Sequence, residues 1–430
     1  MVGCWGSAVC WAYGAKEDEL VMGGGRGRFG NASWRMGRRG YIGGMGGAVV
    51  EWNRRDINEF SSRDYQQRAD YFDYRENTFL YFEFTVVGIT FARYYLFCLI
   101  CTSSINLRII ISINMSSSSV AVAGGTGGLG RAIVEALKAD GRYQVIVLAR
   151  SVNAEFEKDV GVKTHAVDYK DVTSLTNVFE ENKVDTLIST IAFGPDNSGE
   201  MNMVEAAEKS KVTRRLIPNL WSLIPFTQKH AAMPIAGGML NVISRLEKSD
   251  IEWAAVRPGL FLDYFVEGLP SYVTLNSMIV DVRWNTASIP ATGETSIPLT
   301  YTHDIGKYVA ALLNLQKWEH YYCIQGDKKT FNQIVAEAEK AKGVKFDVKY
   351  DSVERLKKGE VSEMPAYTEM AKHFGGGEQG LAAVKMILAA YGLSIEDGDV
   401  EYKSPLLNEM FPEIKALSVE EGWKKVAGKS

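Results

Sequence analysis

The stretch Val120-Ala-Val-Ala-Gly-Gly-Thr-Gly-Gly-Leu-Gly-Arg131 leaves the chain few folds to choose from. A short apolar run ends in glycines at 124, 125, 127 and 128, then Leu129, Gly130 and a helical pattern over 131–138. That order predicts a strand, a tight turn and a helix N-terminus. Glycine lets the turn adopt positive φ, lets backbone approach a ligand without a Cβ, and lets the helix pack close to the strand. The unpaired N–H groups at the helix start, with the positive end of its dipole, suit a pyrophosphate. A glycine triplet alone is a weak signal. This one follows a strand, opens a helix and precedes a second strand over 144–149, which makes it a dinucleotide loop. Its candidate binding residues are Gly124, Gly125, Thr126, Gly127, Gly128, Leu129 and Gly130.

The second strand ends in Arg150, where an NAD-binding fold carries Asp or Glu for the ribose 2′-OH. An arginine pairs instead with a 2′-phosphate, so the chain is expected to take NADP(H), with Arg131 as a second candidate for that anion. A third strand over 163–167 is followed by Asp168, which either borders the adenine or caps the next turn, and by a helix over 172–182. A fourth strand over 184–190 ends in Ser189 and Thr190. Carboxyl ends of parallel strands are where ligands lie, so these two and the turn at 192–194 should border the ribose and nicotinamide. A helix over 201–210 and a fifth strand over 214–221 complete the expected α/β fold, a doubly wound Rossmann-type parallel sheet.

Composition matters because it breaks at Met115. Residues 1–114 hold none of the 11 prolines, 4 of the 5 cysteines, and 12 arginines against one lysine; the remainder holds 26 lysines against 9 arginines. The first part also lacks helix or strand period and clean caps. It is therefore expected to be disordered or a non-genuine extension, with the folding part running from 115 to 430. Within 1–114, the apolar stretch 84–101 is interrupted by Arg93 and falls short of a membrane span. Cys98 and Cys101 have no partner pair for a zinc site. The net charge of −4 gives no reason to expect nucleic acid, and the five histidines show no metal spacing.

The glycine loop, the I-S-T-I at 188–191, R-R-L-I-P-N-L-W at 214–221, I-E-W-A-A-V-R-P-G-L-F-L-D-Y-F at 251–265, and the stretches beginning at Tyr301 and Gly326 together resemble the NmrA-like and isoflavone-reductase-like group of atypical short-chain dehydrogenases. The resemblance covers about 116 to 430 and leaves 1–114 unmatched. It implies NADP(H) on a Rossmann domain, with a smaller C-terminal substrate region, mainly 258–300 and 320–430. It implies one of two functions: a cytoplasmic NADPH-dependent reductase of small apolar or aromatic metabolites, or a non-catalytic redox sensor acting through a protein partner.

One departure bears on that choice. No Tyr-x-x-x-Lys, the usual proton relay of short-chain dehydrogenases, lies between strands four and six. The family's reductases resemble one another in a lysine near the helix after strand five, and the matching position here is Gly238. Lys229, with His230, lies a few residues upstream and is the alternative proton donor, or a polar surface loop. His303 reads as a loop residue before a helix capped by Thr302 or Asp304. Phe261, Tyr264, Phe265, Tyr272, Met278 and Trp284 are expected to line an apolar pocket or to be core. Segments 330–342, 352–358, 363–374 and 380–391 read as surface helices, the last two as a lid hinged at 375–377. The tail 406–414 is expected to dock on the domain.

Overall fold

Val120, Ala121, Val122 and Ala123 are wholly shielded from solvent, the mark of a strand covered on both faces. In the computed structural model they form β1 (Ser119–Ala123), the centre of a six-stranded sheet. The structure describes residues 42–43, 49–50, 117–191, 197–274 and 278–428. The readings made on 192–194, on 84–101 and on the rest of 1–114 lie outside these residues, apart from two short paired strands, Ile42–Gly43 and Val49–Val50. The chain divides into two units, Met1–Ile110 and Ile111–Ser430, and the second carries the six-stranded sheet.

β1 leads into helix α1 (Gly128–Asp140), whose Ala132, Ile133, Val134 and Leu137 face the core. Then come β2 (Gln144–Ala149), α2 (Ala154–Val160), β3 (Lys163–Ala166), α3 (Val172–Glu181), β4 (Thr186–Ser189), α4 (Ser198–Lys209), β5 (Arg215–Ile217), α5 (Ala236–Leu246) and β6 (Glu252–Trp253). All pairings are parallel, in the order β3-β2-β1-β4-β5-β6. This is the doubly wound order, with its topological reversal between β1 and β4. Helix α6 (Thr302–Leu312), far along the chain, packs on α1 so closely that a Cβ at Gly306 would stand 2.5 Å from the Ala132 carbonyl oxygen.

The remaining strands form smaller sheets. Val280–Asp281, Thr286–Pro290 and Asp347–Asp351 make one; Leu260–Phe261, Ser296–Thr300 and Asp327–Thr330 make another. The tail docks as expected: Leu407 is fully buried, and the Tyr308 hydroxyl donates to the Ile414 carbonyl at 2.8 Å.

Three expectations need correction. The fifth strand stops at Ile217, because Pro218 has no N–H and the next residues turn back to bond the end of β4. The helix expected on the surface at 380–391 is a packed one, Gly377–Glu396, with Val384, Ile387, Leu388 and Tyr391 buried. Neither Thr302 nor Asp304 caps α6, and His303 is not in a loop: all three lie in its first turn, and Tyr301 is the N-cap. The capping is done from outside by Asp263, a buried carboxylate that accepts the Thr302 N–H at 2.9 Å and hydroxyl at 2.6 Å.

Candidate functional site

Sheet register sets the candidate residues along one edge. Ala123 pairs with Leu148 on one side and Ser189 on the other, and Ala149 pairs with Ala166. The glycine loop, Arg150, Asp168 and Thr190 therefore all leave the sheet at its carboxyl edge, around the crevice where a doubly wound sheet takes its ligand.

Each glycine of the loop has its own reason. Gly124 has φ 76°, and a Cβ there would lie 2.7 Å from the Thr190 carbonyl oxygen. At Gly130 a Cβ would lie 2.4 Å from Thr190 Oγ1 and 2.5 Å from the Gly124 carbonyl oxygen. Turn and helix thus close on Thr190, whose hydroxyl donates to the Ala123 carbonyl at 2.7 Å. Gly125 is sealed against Val134 and Val147. Gly127 faces open space, with nothing within 4 Å of a Cβ. The backbone N–H groups of Gly125, Thr126 and Gly127 make no hydrogen bond to a described residue, and they stand at the positive end of a 13-residue helix. Free donors of this kind fit a pyrophosphate. The Gly128 N–H is already taken by the Tyr272 carbonyl at 3.2 Å, and Leu129 turns its side chain into the core.

The two arginine candidates differ. Arg150 is exposed and makes no hydrogen bond or ion pair with a described residue. Arg131 is engaged: its Nε donates to Glu135 at 3.0 Å, its Nη2 donates to Asp159, and its guanidinium lies 4.2 Å from the centre of the Tyr272 ring. Asp168 is exposed two residues past the end of β3 and accepts the Lys170 N–H at 2.9 Å, a turn-capping bond that leaves its other oxygen open.

At the ends of β4 and β5 the structure shows a group that the sequence reading missed. Glu200, in the first turn of α4, is buried; it accepts the Ser189 hydroxyl at 2.6 Å and the Asn219 N–H at 2.9 Å. Burial pushes its carboxyl above the ordinary glutamate range. The Asn219 amide donates to the Ile191 carbonyl at 2.8 Å, and Trp221 Nε1 donates to the Ser189 carbonyl at 2.8 Å. In the sequence, an acid in a helix's first turn has an ordinary explanation in the helix dipole, so nothing marked this one as buried.

Gly238 sits in the first turn of α5 against Asn197. A Cβ there would lie 3.0 Å from both Cβ and Nδ2 of Asn197, which itself donates to the Gly238 carbonyl at 2.9 Å. Lys229 is half exposed and held by Asp399 at 2.7 Å and Asp397 at 3.0 Å, bonds that raise its pKa. His230 also bonds Asp399, at 3.1 Å. His303 stacks on Tyr301 with ring centres 4.8 Å apart, and burial lowers its pKa.

The six apolar residues expected to line a pocket or to be core are dispersed. Phe265 is core; Phe261 and Tyr264 lie ring to ring at 5.4 Å; Trp284 is 63% exposed. The Tyr272 hydroxyl donates to Glu135 on α1 at 2.7 Å, while Met278 lines a small separate cavity with Tyr367 and Leu388. Among the described residues, no helix is long and apolar enough to cross a membrane.

Comparison with known proteins agrees with this geometry. The model of the NmrA-like family matches residues 116–385. The chain is 31% identical over 303 residues to oxidoreductase BOA1 of Botryotinia fuckeliana, covering 69% of this chain and 95% of that protein. Among solved structures, AtPrR2 with NADP+ and (+)pinoresinol superposes with a TM-score of 0.55 at 19% identity, covering 72% of this chain and 99% of the other. The ternary complex of leucoanthocyanidin reductase from Vitis vinifera has a TM-score of 0.55 at 15% identity, covering 72% and 100%. At such identities the structural likeness speaks for the fold.

Proposed function

The chain belongs to the NmrA-like family, and on that premise we propose that it is a cytoplasmic, NADPH-dependent reductase of a small apolar or aromatic metabolite. The observation that carries this reading is the row of free N–H donors at Gly125–Gly127, with the unpaired Arg150 on the adjoining strand end. The first would hold the pyrophosphate and the second the 2′-phosphate, by the two-pronged contact a guanidinium makes with an oxyanion. Thr190 keeps the loop in shape, and Asp168 stands on the adenine side. Oxidoreductase BOA1 and the pinoresinol-bound AtPrR2 support the reaction type and the aromatic substrate class. The match beginning at 116 supports taking 115–430 as the catalytic part and 1–114 as an extension outside it.

Bound in this cleft, NADPH would supply a hydride to the substrate. The chain's own contribution is to orient the dinucleotide through its phosphates and to shape the nicotinamide end through Ser189 and Asn219. No lysine is available at 238, and the Lys229 ammonium is held by two aspartates. The proton that completes the reduction comes, in this reading, from water.

Calorimetric titration of the full chain with NADP+, NADPH, NAD+ and NADH tests the proposal. Selective, tight binding of the phosphorylated pair is expected, followed by substrate-dependent loss of NADPH absorbance with aromatic ketones or enals. Binding of all four forms alike would remove the phosphate-selective site. A second reading, a non-catalytic NADP(H) sensor with a protein partner, is favoured by Asn197 filling the space beside Gly238. It predicts binding without turnover across the same substrates.

A further inference from the structure

Glu200 has an uncommon setting. Its carboxyl is 3% exposed, two groups donate to it, and no described cation pairs with it. Buried carboxylates are ordinarily paired, and an unpaired one is costly. Its two donors, the Ser189 hydroxyl and the Asn219 N–H, belong to the ends of β4 and β5. Those strands make up the second half of the doubly wound sheet, across the crevice from the Arg150 half, where the nicotinamide of a dinucleotide would lie.

We propose that Glu200 is a positioning residue that fixes the nicotinamide end of the cleft and, through its charge, sets the preference between oxidised and reduced cofactor. The inference rests on the reading that the cleft takes NADP(H). The oxidised nicotinamide ring is a cation and the reduced ring is neutral. An ionised Glu200 at this end of the cleft would attract the first and be indifferent to the second; a protonated Glu200 would attract neither. NADP+ is thus the counterion that the buried carboxylate lacks in the free protein.

Linkage sets the sign. Burial raises the Glu200 pKa, so the carboxyl ionises only as pH climbs above the usual glutamate value of about 4.3. NADP+ affinity should therefore strengthen relative to NADPH with rising pH. The described groups facing Glu200 do not titrate in this range: Ser189 and Asn219 are neutral, and burial lifts the Tyr169 phenol to about 12. The cofactor's 2′-phosphate titrates nearby but is common to both forms, so it cancels in the ratio.

Glu200→Gln separates charge from shape. The glutamine oxygen can still accept the Asn219 N–H while its NH2 donates to Ser189 Oγ, so the positioning bonds survive without the charge. The test is calorimetry of the full chain with NADP+ and NADPH from pH about 5 to about 8.5. For the natural chain, the Kd ratio of NADP+ to NADPH should fall at least about threefold across the range, with more proton release on NADP+ binding than on NADPH binding. For Glu200→Gln the ratio should be flat. A flat ratio in the natural chain, or an unchanged slope in Glu200→Gln, overturns the inference while leaving the cofactor site standing. Failure of both dinucleotides to bind overturns the cofactor reading itself, and this inference with it.

Discussion

The two edges of the parallel sheet are built from similar residue types and used in opposite ways. At the amino edge, polar groups find partners within the chain. Asp185 accepts the Ser118 N–H at 2.9 Å, the Ser118 hydroxyl at 2.6 Å and the Ser119 N–H at 2.9 Å. The Thr186 and Thr213 hydroxyls are likewise bonded. Arg215, 2% exposed, is matched to Glu252 at 2.7 Å and the Gln316 carbonyl at 2.7 Å, and lies over the Trp318 ring. At the carboxyl edge, three backbone donors, the Arg150 guanidinium and the charge of Glu200 have no such partner among the described residues. Backbone donors and buried charges seldom go unsatisfied in a finished structure. The amino edge pairs its charges within the chain; the carboxyl edge leaves its own for what it binds.

That contrast can be broken by substitutions at either edge. Arg215→Ala should be the most damaging to stability. It leaves the Glu252 carboxylate, 19% exposed, with the Trp318 N–H as its remaining donor, at a cost of about 3 kcal/mol, visible as a lower urea midpoint, while the Kd for NADPH of the folded protein stays unchanged. A weakened Kd at saturating folded protein would mean the two edges are coupled. Arg150→Ala should do the reverse. Losing a charge-assisted contact worth about 1.5–3 kcal/mol should weaken NADP(H) tenfold or more, with NAD(H) binding and the urea midpoint untouched; equal loss for all four dinucleotides would take Arg150 off the 2′-phosphate. Lys229→Ala removes a half-exposed ion pair of about 0–1 kcal/mol and should leave NADPH turnover as it was, whereas loss of turnover would make Lys229 the proton donor. Removing 1–114 should have the smallest effect. A chain beginning at Met115 should match the full chain in cofactor affinity and melting temperature, and insolubility would show that the extension belongs to the fold.

The carboxyl edge was readable in the sequence where the chemistry is local. A strand, a glycine-rich turn and a helix are contiguous between 119 and 140, and Arg150 follows its strand directly. The doubly wound parallel sheet was likewise expected from the alternation of strands and helices, while its strand order is given by the structure. What escaped notice depends on distant parts of the chain meeting. Glu200 looks like any first-turn acid until Asn219 arrives above it. Asp263 caps a helix that starts 39 positions later. The helix Gly377–Glu396 spreads its apolar residues around its circumference, so no stripe betrayed that it is buried. The aromatic residues of 258–284 were grouped by proximity in sequence, but alternate facing and intervening turns send Trp284 to solvent and Phe265 to the core.

The packing of α6 on α1 has a consequence for synthesis. The cofactor loop and α1 leave the ribosome about 170 residues before the helix that covers their flank, on the order of 10 to 30 s at usual elongation rates. During that interval, Ala132 and its neighbours await a surface not yet translated, and Asp263 must emerge before it can cap α6. Nascent chains arrested short of residue 302 should therefore bind chaperones that recognise apolar helices, and chains arrested beyond α6 should release them. The nucleotide-binding half is continuous as a structure but not in time.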